Sequence, residues 1–119
     1  MQPARKPIRR RAGPLLLKRA SAVLALVAFA AGAAETVDVA IEGYKFMPAE
    51  VTIRVGDSVR WSNREKRTSH SVLFPAENGL ESERLFPDES WQRQFTRAGR
   101  YDYTCGPHPE MKGVVIVGE

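Results

Sequence analysis

From residue 36 onward, apolar side chains recur at every second position in short runs, and nowhere with a helical period sustained over three turns. Val37, Val39 and Ile41 alternate with Asp38, Ala40 and Glu42. Val51, Ile53 and Val55 alternate with Thr52 and Arg54, stop at Gly56-Asp57, and resume at Val59 and Trp61. Further runs cover residues 70–74, 91–95, 101–105 and 114–117, with Gly, Pro, Asn or Asp between them. An alternation of this kind buries one face of each strand and wets the other. Seven short strands in about 85 residues predict an all-β domain, an antiparallel sandwich or barrel. Segment 75–90 is polar, turn-rich and acidic (Glu77, Glu81, Glu83, Asp88, Glu89), and reads as a solvated connection or a poorly formed strand.

The front of the chain is written differently. Seven of the 18 Lys+Arg and none of the 14 Asp+Glu precede residue 35, and residues 20–34 are an uncharged, Ala-rich apolar run. A basic start, an apolar stretch and the small residues Ala31-Gly32-Ala33 predict a secretory signal peptide over residues 1–34, cleaved near Ala33/Ala34. Fifteen Ala-rich residues fall short of the roughly 20 that span a bilayer, so no stable membrane insertion is expected after cleavage. Arg10-Arg11 continues as Ala12-Gly13-Pro14, a poor twin-arginine signal, and both export routes stay open. The expected mature domain, residues 35–119, keeps 11 Lys+Arg against 14 acids, a net charge of −3. The overall +4 therefore belongs to the leader, and a nucleic-acid function loses its support.

Export implies an oxidising compartment, where a lone accessible thiol is vulnerable to exchange and oxidation unless something holds it. The chain has one cysteine, Cys105, which excludes an internal disulfide, a four-thiolate zinc site and a two-thiol redox motif. Cys105 opens the sequence Cys105-Gly106-Pro107-His108-Pro109-Glu110-Met111, between two predicted strands. Ligands three residues apart on such a loop can gather a thiolate, an imidazole and a thioether around one point, and Pro107 and Pro109 stiffen the backbone on both sides of His108. The only other histidine, His70, starts an apolar strand that a sandwich can pack beside the last two. Two imidazoles, a thiolate and a weak axial Met select copper in an electron-transfer site, whereas zinc rarely takes Met. Four protein ligands leave no open position for a substrate, so the chain is not expected to be an enzyme. A nucleophilic Cys/His pair is disfavoured, because no orienting third residue presents itself.

These residues resemble the small cupredoxins, the type 1 blue copper proteins. The similarity is closest to the amicyanins and more distant to plastocyanin and pseudoazurin. It rests on the CGPHPEM loop with its short Cys-x2-His-x2-Met spacing, on the stretch YKFMPAEVTIRVGDSVRWSN, and on the upstream His70. The resemblance implies a Greek-key β-sandwich of seven to eight strands that binds one copper ion per chain through His70, Cys105, His108 and Met111. It implies a monomeric periplasmic shuttle of single electrons between redox proteins such as a dehydrogenase and a c-type cytochrome. In this picture the His108 ring edge reaches the surface within an apolar patch containing Met47 and Pro48. The acidic segment steers a basic cytochrome, or Arg64, Lys66 and Arg67 steer an acidic donor. The rival reading, a periplasmic copper chaperone or scavenger, is disfavoured by a total of three Met, one of them the initiator. Two departures stand out. Ser71 replaces the usual Asn after the first His, removing the amide expected to brace the ligand loop and bond the Cys sulfur, and Glu110 and Lys112 replace an apolar rim.

Overall fold

A computed structural model describes residues 32–119, and the expected signal peptide lies almost wholly outside them. Among these residues nine strands form two sheets: β1 (Thr36–Glu42), β2 (Lys45–Met47), β3 (Glu50–Arg54), β4 (Ser58–Asn63), β5 (Leu73–Phe74), β6 (Leu80–Glu81), β7 (Ser90–Gln94), β8 (Gly99–Thr104) and β9 (Lys112–Gly118). One sheet has the order β2-β1-β4-β7 and the other β3-β9-β8-β5-β6. Among the described residues the only helical element is a 3-10 turn over Pro75–Glu77, and no helix is long and apolar enough to cross a membrane.

The alternation seen in the sequence becomes the inner face of each sheet. Val39, Ile41, Val59 and Trp61 from one sheet meet Val51, Ile53, Tyr103, Val115 and Val117 from the other, all buried. The structure corrects two expectations. The sheets are not wholly antiparallel: β1 runs parallel to β4 (Val39 opposite Trp61) and β3 parallel to β9 (Val51 opposite Val115). A half-buried alternation reads the same for either direction, so it does not specify pairing sense. The run from His70 to Phe74 is a strand only at Leu73–Phe74. His70 is held instead by an isolated bridge, its N–H donating to Leu85 O at 3.0 Å and Leu85 N–H donating back to His70 O at 2.7 Å.

A turn at each end of the sandwich shapes its chemistry. Gly43 and Tyr44 both take left-handed φ, 63° and 58°, which is the two-residue hairpin turn whose twist matches the strands it joins. A bulky residue seldom accepts that conformation, so Tyr44 is held there against a local cost. At the other end of the sandwich the Asp57 carboxylate accepts N–H bonds from Glu35 at 2.9 Å and Arg54 at 3.0 Å. Those two backbone bonds hold the Asp57 carboxyl below its ordinary value of 3.8, and Arg93 does the same for Glu77, whose ordinary value is 4.5. A carboxylate depressed by folding stabilises the fold above its unfolded pKa and loses that contribution as pH falls through the folded one. Melting temperature should therefore be level from about pH 7 to pH 5 and fall below about pH 4, near the ordinary carboxylate values. Asp57→Asn should flatten part of that fall; an unchanged acid limb would mean that Asp57 contributes nothing to it.

Candidate metal centre

His70, Cys105 and His108 come from two loops that the β-framework closes on each other. Cys105 directly follows β8, and the loop after it folds back before β9: Cys105 N–H donates to Met111 O at 3.1 Å and Met111 N–H donates to His108 O at 2.9 Å. His70 arrives from the β4–β5 connection, fixed by its bridge to Leu85. One ligand atom from each of the three lies within 4.8 Å of the others. His70 and Cys105 are fully buried, Met111 is buried in the same loop, and His108 is half-buried at the rim.

Cys105 Sγ is 3.5 Å from His70 Nδ1 and 3.6 Å from His108 Nδ1. A thiol has one proton and cannot donate to both rings. A thiolate and an imidazole held about 2.3 and 2.0 Å from one first-row ion, at an angle near 110°, are themselves about 3.5 Å apart. The donor set thus has the spacing of a coordination site as well as its chemistry.

The surroundings prepare each donor. His70 Nε2 lies 3.1 Å from Glu65 Oε2, so the outer nitrogen takes the proton and Nδ1 offers its lone pair to the centre. Burial pushes the His70 pKa down, against the pull of Glu65, and a neutral imidazole is the form that binds metal. Burial acts to raise Glu65, but the Tyr44 N–H bond and the His70 contact outweigh it and leave the carboxyl below its usual range. Burial also pushes the Cys105 thiol up, opposed by the Ser71 N–H, so a metal arriving here displaces a proton.

Tyr44 and Glu65 are site residues that the sequence pattern does not disclose. The strained turn sets the Tyr44 ring edge-on to both histidines, with centroids 5.5 Å from His70 and 5.0 Å from His108. Its N–H donates to Glu65 Oε2 at 2.9 Å and its hydroxyl pairs with Thr68 Oγ1 at 3.2 Å. Tyr44 packs directly against the His108 ring, a contact that the sequence pattern did not include, and Met47 is exposed on the other side of β2 from buried Phe46. Gly43 signals a turn, but nothing local shows that the next residue shares its left-handed backbone.

The consequence expected of Ser71 is also corrected. The sulfur's hydrogen bond comes from the backbone N–H of Ser71, at 3.4 Å, which any residue but proline can supply. The Ser71 hydroxyl accepts from Gly106 N–H at 2.9 Å and donates to Glu81 Oε2 at 2.7 Å, so the loop is braced after all. The acidic segment is only partly free to steer partners. Glu77 forms a two-pronged pair with Arg93, Glu81 holds Ser71, and Glu89 accepts from Phe86 N–H.

Comparison with known proteins agrees with this centre. Residues 33–118 match the family model described as copper binding proteins, plastocyanin/azurin family. An amicyanin from Paracoccus versutus is 41% identical over 88 residues, which are 71% of this chain and 66% of that protein. Amicyanin-alpha from Methylorubrum extorquens is 38% identical over 109 residues, 82% of this chain and 91% of the relative. The crystal structure of the P. versutus amicyanin superposes with a TM-score of 0.66 at 41% identity, covering 69% of this chain and 80% of that one. A chloroplastic plastocyanin from Tetradesmus obliquus is 38% identical over 84 residues, 60% of this chain and 57% of the plastocyanin.

Proposed function

The chain belongs to the plastocyanin/azurin family of copper-binding proteins, and from that premise we propose that it is a periplasmic one-electron carrier. The ligands of its single copper are His70, Cys105, His108 and Met111. The observation that carries this reading is the convergence of two Nδ1 atoms on one buried sulfur, 3.5 and 3.6 Å away. Bound copper supplies the Cu(I)/Cu(II) couple.

The residues of the chain supply the rest. Glu65 fixes the His70 tautomer, Pro107 and Pro109 restrict the loop, and the bonds between Cys105, His108 and Met111 keep the loop's shape when the charge at the centre changes. Little then has to move as an electron arrives or leaves. His108 is the one half-buried member of the set, so its ring is the side from which a partner approaches. Full burial of His70 and Cys105 favours a resident ion over one passed from hand to hand, and so an electron carrier over a copper chaperone. Residues 1–34 act as the export signal and 35–119 as the monomeric mature domain.

Partners are a dehydrogenase on the donor side and a c-type cytochrome on the acceptor side. With a net charge of −3 on residues 35–119, a basic cytochrome is attracted at long range. The rate of electron transfer to such a cytochrome should fall by about tenfold between roughly 10 and 200 mM ionic strength. A copper-loaded protein that passes no electron to any c-type cytochrome would overturn the carrier reading. A rate indifferent to salt would remove the steering.

A further inference from the structure

We propose that Glu81 is a positioning residue for the Cys105 sulfur, acting through the Ser71 hydroxyl on the Cys105–Gly106 backbone. Ser71 stands between the two loops of the site: it follows His70, it is buried, and its backbone N–H points at Cys105 Sγ. Its hydroxyl bridges, accepting from Gly106 N–H at 2.9 Å and donating to Glu81 Oε2 at 2.7 Å. A side-chain amide carries its donor and acceptor in a fixed plane, but a hydroxyl rotates and points its lone pairs reliably only when its one proton has a partner. Glu81 is that partner. It sits on β6, directly opposite Leu73 of β5, so the hairpin that follows Ser71 folds the carboxylate back over the ligand loop.

Gly106 supplies independent support. A Cβ built there would overlap Glu81 Oε2 and stand 2.7 Å from Ser71 Oγ, so the carboxylate and hydroxyl occupy the space that any larger residue would need. Gly106, Ser71 and Glu81 are therefore a matched set, in which the hydroxyl and the carboxylate pack against the residue next to the thiolate. The carboxylate also places a negative charge beside the centre, which favours the more oxidised ion.

The consequence for copper rests on the ligand assignment proposed above, while the brace itself exists in the metal-free chain, and the test separates the two. In metal-free protein, Glu81→Ala should speed amide hydrogen exchange at Gly106 by about fivefold, the loss of one net hydrogen bond. Ser71→Ala should do so at least equally, and Glu81→Gln, which keeps an acceptor oxygen, should stay within about twofold of the parent. In copper-loaded protein, Glu81→Ala should shift the thiolate-to-copper absorption band while Glu81→Gln leaves it in place, and both should raise the reduction potential by removing the charge. Gly106 exchange and band position unchanged in Glu81→Ala would reduce Glu81 to a surface carboxylate. Equal changes of Gly106 exchange and band position in the Ala and Gln variants would also overturn positioning, since charge alone would then account for them. A parent protein without the copper band would defeat the ligand assignment, and the exchange comparison would still decide the brace.

Discussion

Gly113→Ala should cost about 3 kcal/mol of folding stability, at the upper end of what overpacking a core produces. Gly113 of β9 pairs with Tyr103 of β8, and a Cβ on it would run into the Tyr103 ring, overlapping Cζ and the hydroxyl and standing 2.8 Å from Cε2. The ring has nowhere to retreat. Tyr103 is 1% exposed and wedged among Phe46, Trp61 and Phe74 at centroid distances of 4.8, 5.3 and 5.6 Å. Burial drives its hydroxyl pKa up to about 12, so ionisation offers no escape at ordinary pH. For a domain of this size the loss should lower the melting temperature by roughly 12 to 24 °C. Urea unfolding of parent and variant measures it directly, and a difference below about 0.5 kcal/mol, the ordinary range of surface substitutions, would mean that β8 and β9 yield at this contact.

Asn63→Ala should cost a similar amount for a polar reason. Asn63 ends β4 fully buried, and its side chain is used at both ends. Nδ2 donates to Thr68 O at 2.8 Å and to Leu85 O at 2.9 Å, while Oδ1 accepts from Glu65 N–H at 2.8 Å. These bonds gather residues 64–69 and Leu85, the two segments that carry Glu65 and grip His70. Truncation takes the side-chain partner from Thr68 O and Glu65 N–H, each worth about 1 to 3 kcal/mol when buried, and leaves Leu85 O with the His70 N–H alone, for a total of about 3 kcal/mol. Asn63→Asp should be no milder, because a second carboxylate oxygen would face the Thr68 and Leu85 carbonyls where the amide now donates. Copper affinity should fall together with stability in both variants, since the His70 bridge to Leu85 loses its support. Full stability in Asn63→Ala would mean that this bridge holds the loop alone.

What the sequence reveals of this molecule divides along the distance over which each feature is encoded. Cys105, His108 and Met111 are legible because seven residues contain them all, with two prolines marking the loop. The strands β1, β3, β4, β7, β8 and β9 are legible because each is long enough to show its alternation. β2 and β6, three and two residues long, are too short to carry a period. Pairing sense is not legible, because an inward-outward alternation serves parallel and antiparallel neighbours equally. Tyr44, Glu65 and Glu81 are invisible as site residues for a different reason: each reaches the centre from a separate turn or strand, and only the closed sandwich sets them beside His70, His108 and Ser71. Ser71 shows the danger of inferring from a substitution alone. A missing amide is legible, whereas the carboxylate that lets a hydroxyl replace it is not.

Whether Cys105 binds copper between His70 and His108 can be read from the visible absorption spectrum of residues 35–119 on titration with Cu(II), alongside Cys105→Ser. The expected result is an intense thiolate-to-copper band that saturates at one copper per chain and is absent from the variant. A colourless or merely pale protein in both would contradict the assignment, because a buried sulfur 3.5 and 3.6 Å from two imidazole nitrogens would then not be a copper ligand.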